Sequence, residues 1–284
     1  MNYIIQNEKI AVTVASRGAE IVSVVTSGKE RSWQNPTGDW AGHAPLLFPV
    51  CGHCDIRLND KEYPIPFHGF ARKTEFSLVE KGDEYIVMSI CANEQTKACY
   101  PFDFYFEIKY ALQGARVTVT QTVKNLSKDD ALYFALGGHD SFALDENLDK
   151  YSLEFEKEED IVSVEADDDG YLSGETTVFC TSKTFDLPRD YFQNSVTLIM
   201  KKVRSREVTL KEKGGKALVR VGFDSEFENL LFWREADAKF ICIEPWSNLP
   251  DASTRPIVDF RQKAGVMKVA PTQSKTLVRW IEYL

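Results

Sequence analysis

Residues 206–223, REVTLKEKGGKALVRVGF, alternate polar and apolar side chains on both sides of the pair Gly214-Gly215. A period of two places every second side chain on one face of an extended chain, and a glycine pair between two such runs is typical of a β-hairpin turn. The stretch therefore predicts two antiparallel strands, each with one buried face.

The same pattern recurs from one end of the chain to the other. Further segments rich in Val, Ile, Thr, Phe and Tyr occupy residues 75–93, 115–125, 195–203, 239–246 and 275–284. A clean helical period is missing, and residues 93–98 predict at most a turn of helix before a proline. We therefore predict an all-β fold, a large antiparallel β-sandwich. Because such sandwiches reach this length as one unit, we expect a single domain over residues 1–284.

Composition excludes several classes of function. The net charge of −9 disfavours binding to nucleic acid, where affinity comes mostly from Lys and Arg. No apolar run approaches the roughly 18 residues that span a bilayer, and the N-terminal stretch MNYIIQNEKIAVTV lacks the features of a signal peptide. We expect a cytoplasmic protein without a membrane or nucleic-acid partner, either a monomer or a homodimer. The acidic run at residues 154–174 is expected to be a solvated hairpin and loop.

The stretch CGHC at residues 51–54 is typical of a dithiol oxidoreductase. A catalytic CxxC normally opens a helix, but Pro64 and Pro66 exclude a helix shortly afterwards. Zinc is a second interpretation, with Cys51, His53, Cys54 and His68 as ligands, yet a second closely spaced ligand pair is missing. We predict no metal site and no redox role, and two ordinary thiols in a loop.

The chain contains 4 histidines, and those at 43, 53 and 68 lie in one Pro- and Gly-rich region. Loops on a rigid β scaffold commonly carry binding groups, and a histidine there can hydrogen bond or transfer a proton near neutral pH. His139 follows Gly137-Gly138, where we expect the backbone to approach a ligand closely. An exposed imidazole beside a tight turn is the alternative.

Glu244 follows the apolar run KFICI and precedes Pro245 and Trp246. A carboxyl group beside a large aromatic plane can have a raised pKa and act as a general acid or base. Trp246 could stack on a sugar, although core packing is the commoner role of a tryptophan. These residues are candidates for a catalytic site.

Several motifs, taken in order and spacing, resemble the aldose 1-epimerase (galactose mutarotase-like) family, in particular its LacX-like branch. The most specific are HGFAR at 68–72, GGHDSF at 137–142 and CIEPW at 242–246. The others are RGAEIVSV, HAPLLFPVCG, YPFDF and RSREVTL. The resemblance covers nearly the whole chain. It implies a β-supersandwich, a sugar-binding groove across one sheet, and no metal or organic cofactor.

The resemblance also implies an isomerase of carbohydrate metabolism, a mutarotase that interconverts α and β anomers by opening and closing the sugar ring. A base takes the proton of the anomeric hydroxyl while an acid protonates the ring oxygen, so two groups of opposite protonation are required. By position in the motifs, Glu244 matches the family's general base and His139 its general acid. His68 matches the second histidine, which polarises the sugar near the ring oxygen.

Other positions concern substrate binding. Arg72 in HGFAR is a candidate ligand for a hydroxyl or phosphate group, or else forms a surface ion pair. Relatives often carry an Arg after the FPxxG segment, and His53 or Arg57 could take its place here. Where the family often has a hydroxyl-binding Asp, this chain has Ser195, with Asp190 slightly earlier.

The function expected from these residues is anomer interconversion of a hexose or hexose phosphate. The alternative is a non-catalytic carbohydrate-binding protein on the same fold. A glycoside hydrolase is a third possibility, but it would ordinarily need two carboxylates at the scissile bond, and one well-placed acid is evident.

Overall fold

The computed structural model describes residues 1–254 and 258–284. These residues form 21 strands, one α-helix and four short 3₁₀ segments. The strands are β1 (Asn2–Gln6), β2 (Ile10–Ala15), β3 (Ile21–Thr26), β4 (Lys29–Glu30), β5 (Ile56–Leu58), β6 (Lys61–Tyr63), β7 (Ser77–Lys81), β8 (Tyr85–Cys91), β9 (Phe104–Gln113), β10 (Arg116–Asn125), β11 (Leu132–Phe134), β12 (Asp140–Ala143), β13 (Tyr151–Ala166), β14 (Leu172–Asp186), β15 (Leu198–Met200), β16 (Glu207–Glu212), β17 (Ala217–Phe223), β18 (Asn229–Trp233), β19 (Phe240–Trp246), β20 (Met267–Val269) and β21 (Ser274–Tyr283). The helix α1 is Glu94–Cys99, and the 3₁₀ segments are Ala71–Lys73, Leu148–Lys150, Gln193–Ser195 and Phe260–Gln262.

One sheet of 13 strands dominates the fold. Its order is β12-β19-β18-β15-β13-β16-β17-β21-β10-β9-β8-β7, and β14 branches from β13. A four-stranded sheet contains β1 to β4, and two small sheets pair β5 with β6 and β11 with β20. The named strands pair antiparallel, as in β10 with β21 and β18 with β19. The prediction of a large antiparallel all-β fold is confirmed; the prediction of one domain over residues 1–284 stays a prediction.

The hairpin predicted at residues 206–223 is β16 and β17. Its strands pair from Glu207 with Gly222 down to Lys211 with Ala217, and Gly214 adopts a φ of 65° in the turn. Burial alternates along it, with Val208 and Leu210 in the core. The predicted turn of helix is α1, which begins with a capping box between Asn93 and Thr96.

The core packs around aromatic side chains that anchor the loop at residues 43–52. Phe48 is completely buried, and its ring lies 4.5 Å from that of Phe106 and 5.2 Å from that of Phe104, measured between centroids. The ring of Phe70 contacts Phe48 at 5.8 Å, almost perpendicular to it. These contacts fix the loop and the HGFAR segment against the large sheet.

The acidic run at residues 154–174 lies in the hairpin of β13 and β14, as expected. One of its carboxylates departs from the expectation of a solvated face. Glu159 is 3% exposed and accepts hydrogen bonds from the backbone N–H groups of Arg204 at 3.2 Å and Ser205 at 2.6 Å. The turn of this hairpin reaches the cavity described below. The described residues include no helix long and apolar enough to cross a bilayer.

Candidate active site

One cross-strand row on the large sheet carries the two candidate catalytic residues. The register places Ile199 of β15 opposite Leu231 of β18, and Leu231 opposite Glu244 of β19. The pairing of β12 with β19 includes Asp140, and continuing it by one residue places His139 opposite Glu244. Residues opposite each other in neighbouring strands project from the same face, so the sheet itself brings histidine and carboxylate together.

A second row lies beside the first and recruits the loop and HGFAR segments. Gly137 forms bridges with Trp246 on one side and Leu47 on the other. Phe48, the next residue in the chain, bridges Gly69. Motifs far apart in sequence therefore meet through backbone pairing at the edge of the sheet.

The glycine pair before His139 serves packing. A Cβ on Gly137 would lie 2.8 Å from both Cys51 Sγ and Trp246 Cδ1, and one on Gly138 would lie 2.7 Å from Arg279 Nε. These distances are shorter than van der Waals contact. The expectation that the backbone here approaches a ligand is therefore replaced, because the side chains of Trp246, Cys51 and Arg279 fill that space.

A cavity of about 260 Å³ opens above this face of the sheet. It is lined by Trp40, Pro45, Gly52, Phe67, His68, Arg72, His139, Ala166, Gly170, Thr197, Ile199, Leu231, Trp233, Glu235, Glu244, Trp246 and Pro250. The structure thus brings together five of the predicted site residues: His68, Arg72, His139, Glu244 and Trp246. Its mixture of aromatic walls and few polar groups is typical of small-molecule sites.

His139 and Glu244 form the centre of this cavity wall. The distance from His139 Nε2 to Glu244 Oε2 is 3.4 Å, and the side chains are 10% and 2% exposed. Burial lowers the pKa of His139, and burial, with a smaller contribution from the Asp140 charge, raises the pKa of Glu244 well above its ordinary value. Each group therefore favours its neutral form, in which the carboxyl group carries a proton that the neutral imidazole can accept. Moving that proton between them converts a neutral pair into an acid and a base.

A buried ion pair lies next to the cross-strand row of His139 and Glu244. Asp140, next to His139, pairs with Arg279 of β21, and their side chains are 4% and 1% exposed. Burial raises the pKa of Asp140, and the Arg279 guanidinium opposes that rise. Loss of the arginine would leave an uncompensated buried charge beside the site.

His68 enters the cavity from a left-handed backbone position with a φ of 63°. Its Nδ1 accepts a hydrogen bond from the Gly52 backbone N–H at 2.9 Å, so the neutral ring carries its proton on Nε2. Burial lowers the pKa of His68 well below its ordinary value. Its ring lies 5.7 Å from that of His139 and 5.2 Å from that of Trp246. His68 is therefore a neutral hydrogen-bond donor beside His139 and Glu244.

Arg72 lines the cavity with spare donor capacity. Its Nη2 donates to the carbonyl oxygen of Phe67 at 3.1 Å, while its buried Nε has no hydrogen-bond partner among the described residues. Burial lowers the pKa of this guanidinium from its ordinary value, which still leaves it charged near neutral pH. It can therefore donate to a hydroxyl or an anionic group of a ligand.

His53 and Arg57 do not line this cavity. The ring of His53 stacks on Tyr171 of the acidic hairpin, with centroids 4.6 Å apart. Arg57 lies in β5, where its Nη2 donates to Asp60 Oδ1 at 2.9 Å. Their proposed contribution to sugar binding stays a prediction. The ring of His53 packs against the cavity wall from behind, since it also contacts Phe67, with centroids 4.5 Å apart.

Trp40 and Glu235 are among the cavity residues that the sequence analysis did not identify. Trp40 stacks on the His139 ring, with centroids 5.2 Å apart and planes inclined by 26°. Glu235 lies in the turn that follows β18. A tryptophan in the polar loop GDWAG was a usable signal for the first. Glu235 had none, because the chain contains 43 acidic residues and several lie just after a strand.

The cysteine pair has the chemistry of core residues. Cys51 and Cys54 are both buried and unbonded to each other, and the second is followed by the extended strand β5. Burial raises the pKa of Cys51 well above its ordinary value and that of Cys54 to about 12. Thiol exchange requires a thiolate, so this environment disfavours it.

The described residues bring one group of three potential metal ligands together. Ligand atoms of His139, Cys242 and Glu244 lie within 4.8 Å of one another. Burial raises the pKa values of both the thiol and the carboxyl group, so each favours its protonated form. A metal would have to displace those protons, and the group fits proton transfer better than ligation.

Comparisons with known proteins agree with this geometry. The model of the aldose 1-epimerase family matches residues 1–254. The chromosomal and plasmid LacX proteins of Lactococcus lactis are 30% and 31% identical to the chain, and each alignment covers 94% of both proteins. The crystal structure of a galactose mutarotase related enzyme from Lactobacillus acidophilus superposes with a TM-score of 0.90 at 27% identity, over 100% of this chain and 97% of that one.

Two further structures extend the comparison. A galactose mutarotase-like protein from Lactobacillus casei has a TM-score of 0.90 at 26% identity, with complete coverage of both chains. For a putative aldose 1-epimerase from Escherichia coli the TM-score is 0.78 at 16% identity, over 100% of this chain and 99% of that one, which shows a shared fold. The family model, the curated relatives and the fold agree: this chain belongs to the aldose 1-epimerase family.

Proposed function

We propose that the protein is a mutarotase that interconverts the α and β anomers of an aldohexose or its phosphate. The observation that carries the proposal is the buried pair of His139 and Glu244, 3.4 Å apart, with pKa values displaced in opposite directions. Ring opening needs a base and an acid at neighbouring oxygens of one sugar. A pair that shares one proton supplies both.

The proton balance of the reaction is closed. Glu244, as the carboxylate, takes the proton of the anomeric hydroxyl, and His139, as the imidazolium, protonates the ring oxygen as the bond between C1 and that oxygen breaks. The open aldehyde rotates about its C1–C2 bond, and the protons return when the ring closes on the other face. His68 donates its Nε2 proton as a hydrogen bond near the ring oxygen. The pair begins and ends each cycle with one shared proton.

Aromatic and cationic groups are proposed to hold the sugar. Trp246 and Trp40 form walls of the cavity, and an apolar sugar face packs favourably against an aromatic ring. Arg72 has an unpartnered Nε within this wall. We assign it to a substrate hydroxyl or phosphate oxygen. Comparison of a free hexose with its 6-phosphate decides between them.

The test is anomer exchange, followed by polarimetry and by NMR saturation transfer on α-glucose, α-galactose and their 6-phosphates. We expect acceleration over buffer, and losses of roughly 10²–10⁴-fold in Glu244→Gln and in His139→Asn. Matched controls are Glu226→Gln and His43→Asn, whose side chains do not line the cavity. Saturable sugar binding without acceleration would instead identify a non-catalytic carbohydrate-binding protein.

A further inference from the structure

The cavity contains a second carboxylate besides Glu244. Glu235 is half-buried in the turn after β18. It forms no ion pair with the residues that the structure describes, 1–254 and 258–284. The proton transfers proposed above do not use it. An unpaired carboxylate in the wall of a small cavity invites the question of what it binds.

Glu235 is oriented by a serine behind it. Ser195 Oγ donates to Glu235 Oε1 at 2.5 Å and accepts from the Ala236 backbone N–H at 3.2 Å. The carbonyl oxygen of Ser195 accepts from Trp233 Nε1 at 3.0 Å. Trp233 and Glu235 line the cavity and Ser195 does not. The serine therefore fixes one carboxylate oxygen, and Oε2 accepts no hydrogen bond from the described part of the chain.

The backbone around this contact is strained on both sides. Asn194 and Ser195 have φ values of 59° and 62°, and Ala236 has a φ of 37°. L-residues other than glycine rarely adopt this region, and alanine has no side-chain hydrogen bond to compensate. Such positions persist only where the surrounding structure enforces them, and they concentrate at ligand-binding sites. Two segments are thus held in unfavourable conformations where they orient Glu235.

The chemistry of an oriented carboxylate defines its ligand. Oε1, held by Ser195, and Oε2, which has no partner among the described residues, can both accept hydrogen bonds from hydroxyl groups. Their negative charge repels a phosphate or carboxylate at the same place. The cationic group of the cavity, Arg72, comes from a different segment. Resting on the proposed function, we propose that Glu235, positioned by Ser195, binds hydroxyl groups of the sugar and requires that part of the substrate to be an uncharged polyol.

The first experiment combines Glu235→Gln with 2-, 3-, 4- and 6-deoxy analogues of the best hexose substrate. Because the carboxylate contacts ring hydroxyls in both anomers and the transition state, its loss should raise KM by about 10- to 100-fold while kcat changes little. Removing the hydroxyl that Glu235 binds should weaken the wild type by a similar factor and Glu235→Gln hardly at all. Glu226→Gln removes the same charge outside the cavity and should match the wild type.

The positioning role of Ser195 has its own readout. Ser195→Ala frees the carboxylate, so we expect an increase in KM smaller than that of Glu235→Gln, with kcat little changed and no further increase in KM when both substitutions are combined. If the wild type is active and Glu235→Gln keeps its KM and its full discrimination among deoxy sugars, Glu235 does not bind the sugar. The proposed mutarotase function would then stand without this inference.

Sugar dissociation constants measured by ligand-observed NMR separate this inference from the proposed function. If the wild type binds hexose without turnover, a weaker affinity of Glu235→Gln still supports the role of Glu235. If no sugar of the panel binds, both proposals fail.

Discussion

Among the described residues, burial has opposite consequences for two pairs of titratable side chains. For His139 and Glu244 it lowers one pKa and raises the other, so the imidazole favours its unprotonated form and the carboxyl group its protonated form. For Cys51 and Cys54 it raises both, so each thiol keeps its own proton. Burying a base with an acid creates a proton-transfer pair, whereas burying two acids produces inert groups.

The largest effect tests whether His139 and Glu244 act as one unit. If they share a proton, the double variant Glu244→Gln/His139→Asn should lose about as much activity as the worse single variant, within the roughly 10²–10⁴-fold range of acid–base catalysis. NMR exchange rates of the three variants measure this. Multiplicative losses would mean that the two residues act independently.

A smaller effect is expected at Gly137, which packs between Cys51 and Trp246. Gly137→Ala would press a methyl group against Cys51 Sγ and Trp246 Cδ1, each 2.8 Å away, and should destabilise the protein by about 1–3 kcal/mol. Chemical denaturation measures the loss. Leu47 Cδ1 lies 3.0 Å from the same position. Adding Cys51→Ala removes one of these three contacts, so part of the stability should return. Identical losses with and without Cys51 would show that Trp246 and Leu47 determine the cost.

The next effect concerns stability and pH. The pKa of Glu244 in the folded state lies well above the ordinary 4.5, so the folded chain binds more protons than the unfolded chain as pH rises past 4.5, and stability falls. Glu244→Gln lacks this cost. We expect it to be more stable than the wild type by about 1 kcal/mol or more at pH 8, and by less as pH approaches 4.5. Thermal melts across this range measure the difference; an advantage independent of pH would contradict the raised pKa.

The smallest effect is expected at the cysteines. Cys51→Ala with Cys54→Ala should leave anomer exchange within about twofold of the wild type, because uncharged buried thiols take no part in proton transfer. Alanine is preferable to serine here, since a buried hydroxyl without a partner adds its own cost. A loss similar to that of Glu244→Gln would make the cysteines part of the chemistry.

Local sequence patterns predicted the strands and hairpins well. Alternation and a glycine turn define β16 and β17 because both signals lie within 18 residues, 206–223. The same period of two places Glu244 and Trp246 on one face of β19. What sequence alone could not provide is which distant strand lies opposite β19, because that depends on the order of the whole sheet.

Loops account for most of what was missed at the site. Trp40 and Glu235 come from turns whose paths depend on packing, as does Gly170 in the turn of the acidic hairpin. His53 was adjacent in sequence to cavity residues, yet its ring turns to Tyr171. In a strand, the position of a residue in the sequence predicts the direction of its side chain. In a loop it does not, because the path of the backbone depends on packing.

The pairing of Asp140 with Ile243 constrains how this protein can change in length. An insertion or deletion of one residue between this pair and the neighbouring pair of His139 and Glu244 would turn one of these two side chains to the opposite face of the sheet. Point substitutions can adjust the cavity gradually, whereas single-residue insertions and deletions in β12 or β19 abolish the site in one step. Libraries that vary loop length should therefore leave 137–143 and 240–246 intact and vary the turns around Trp40 and Glu235.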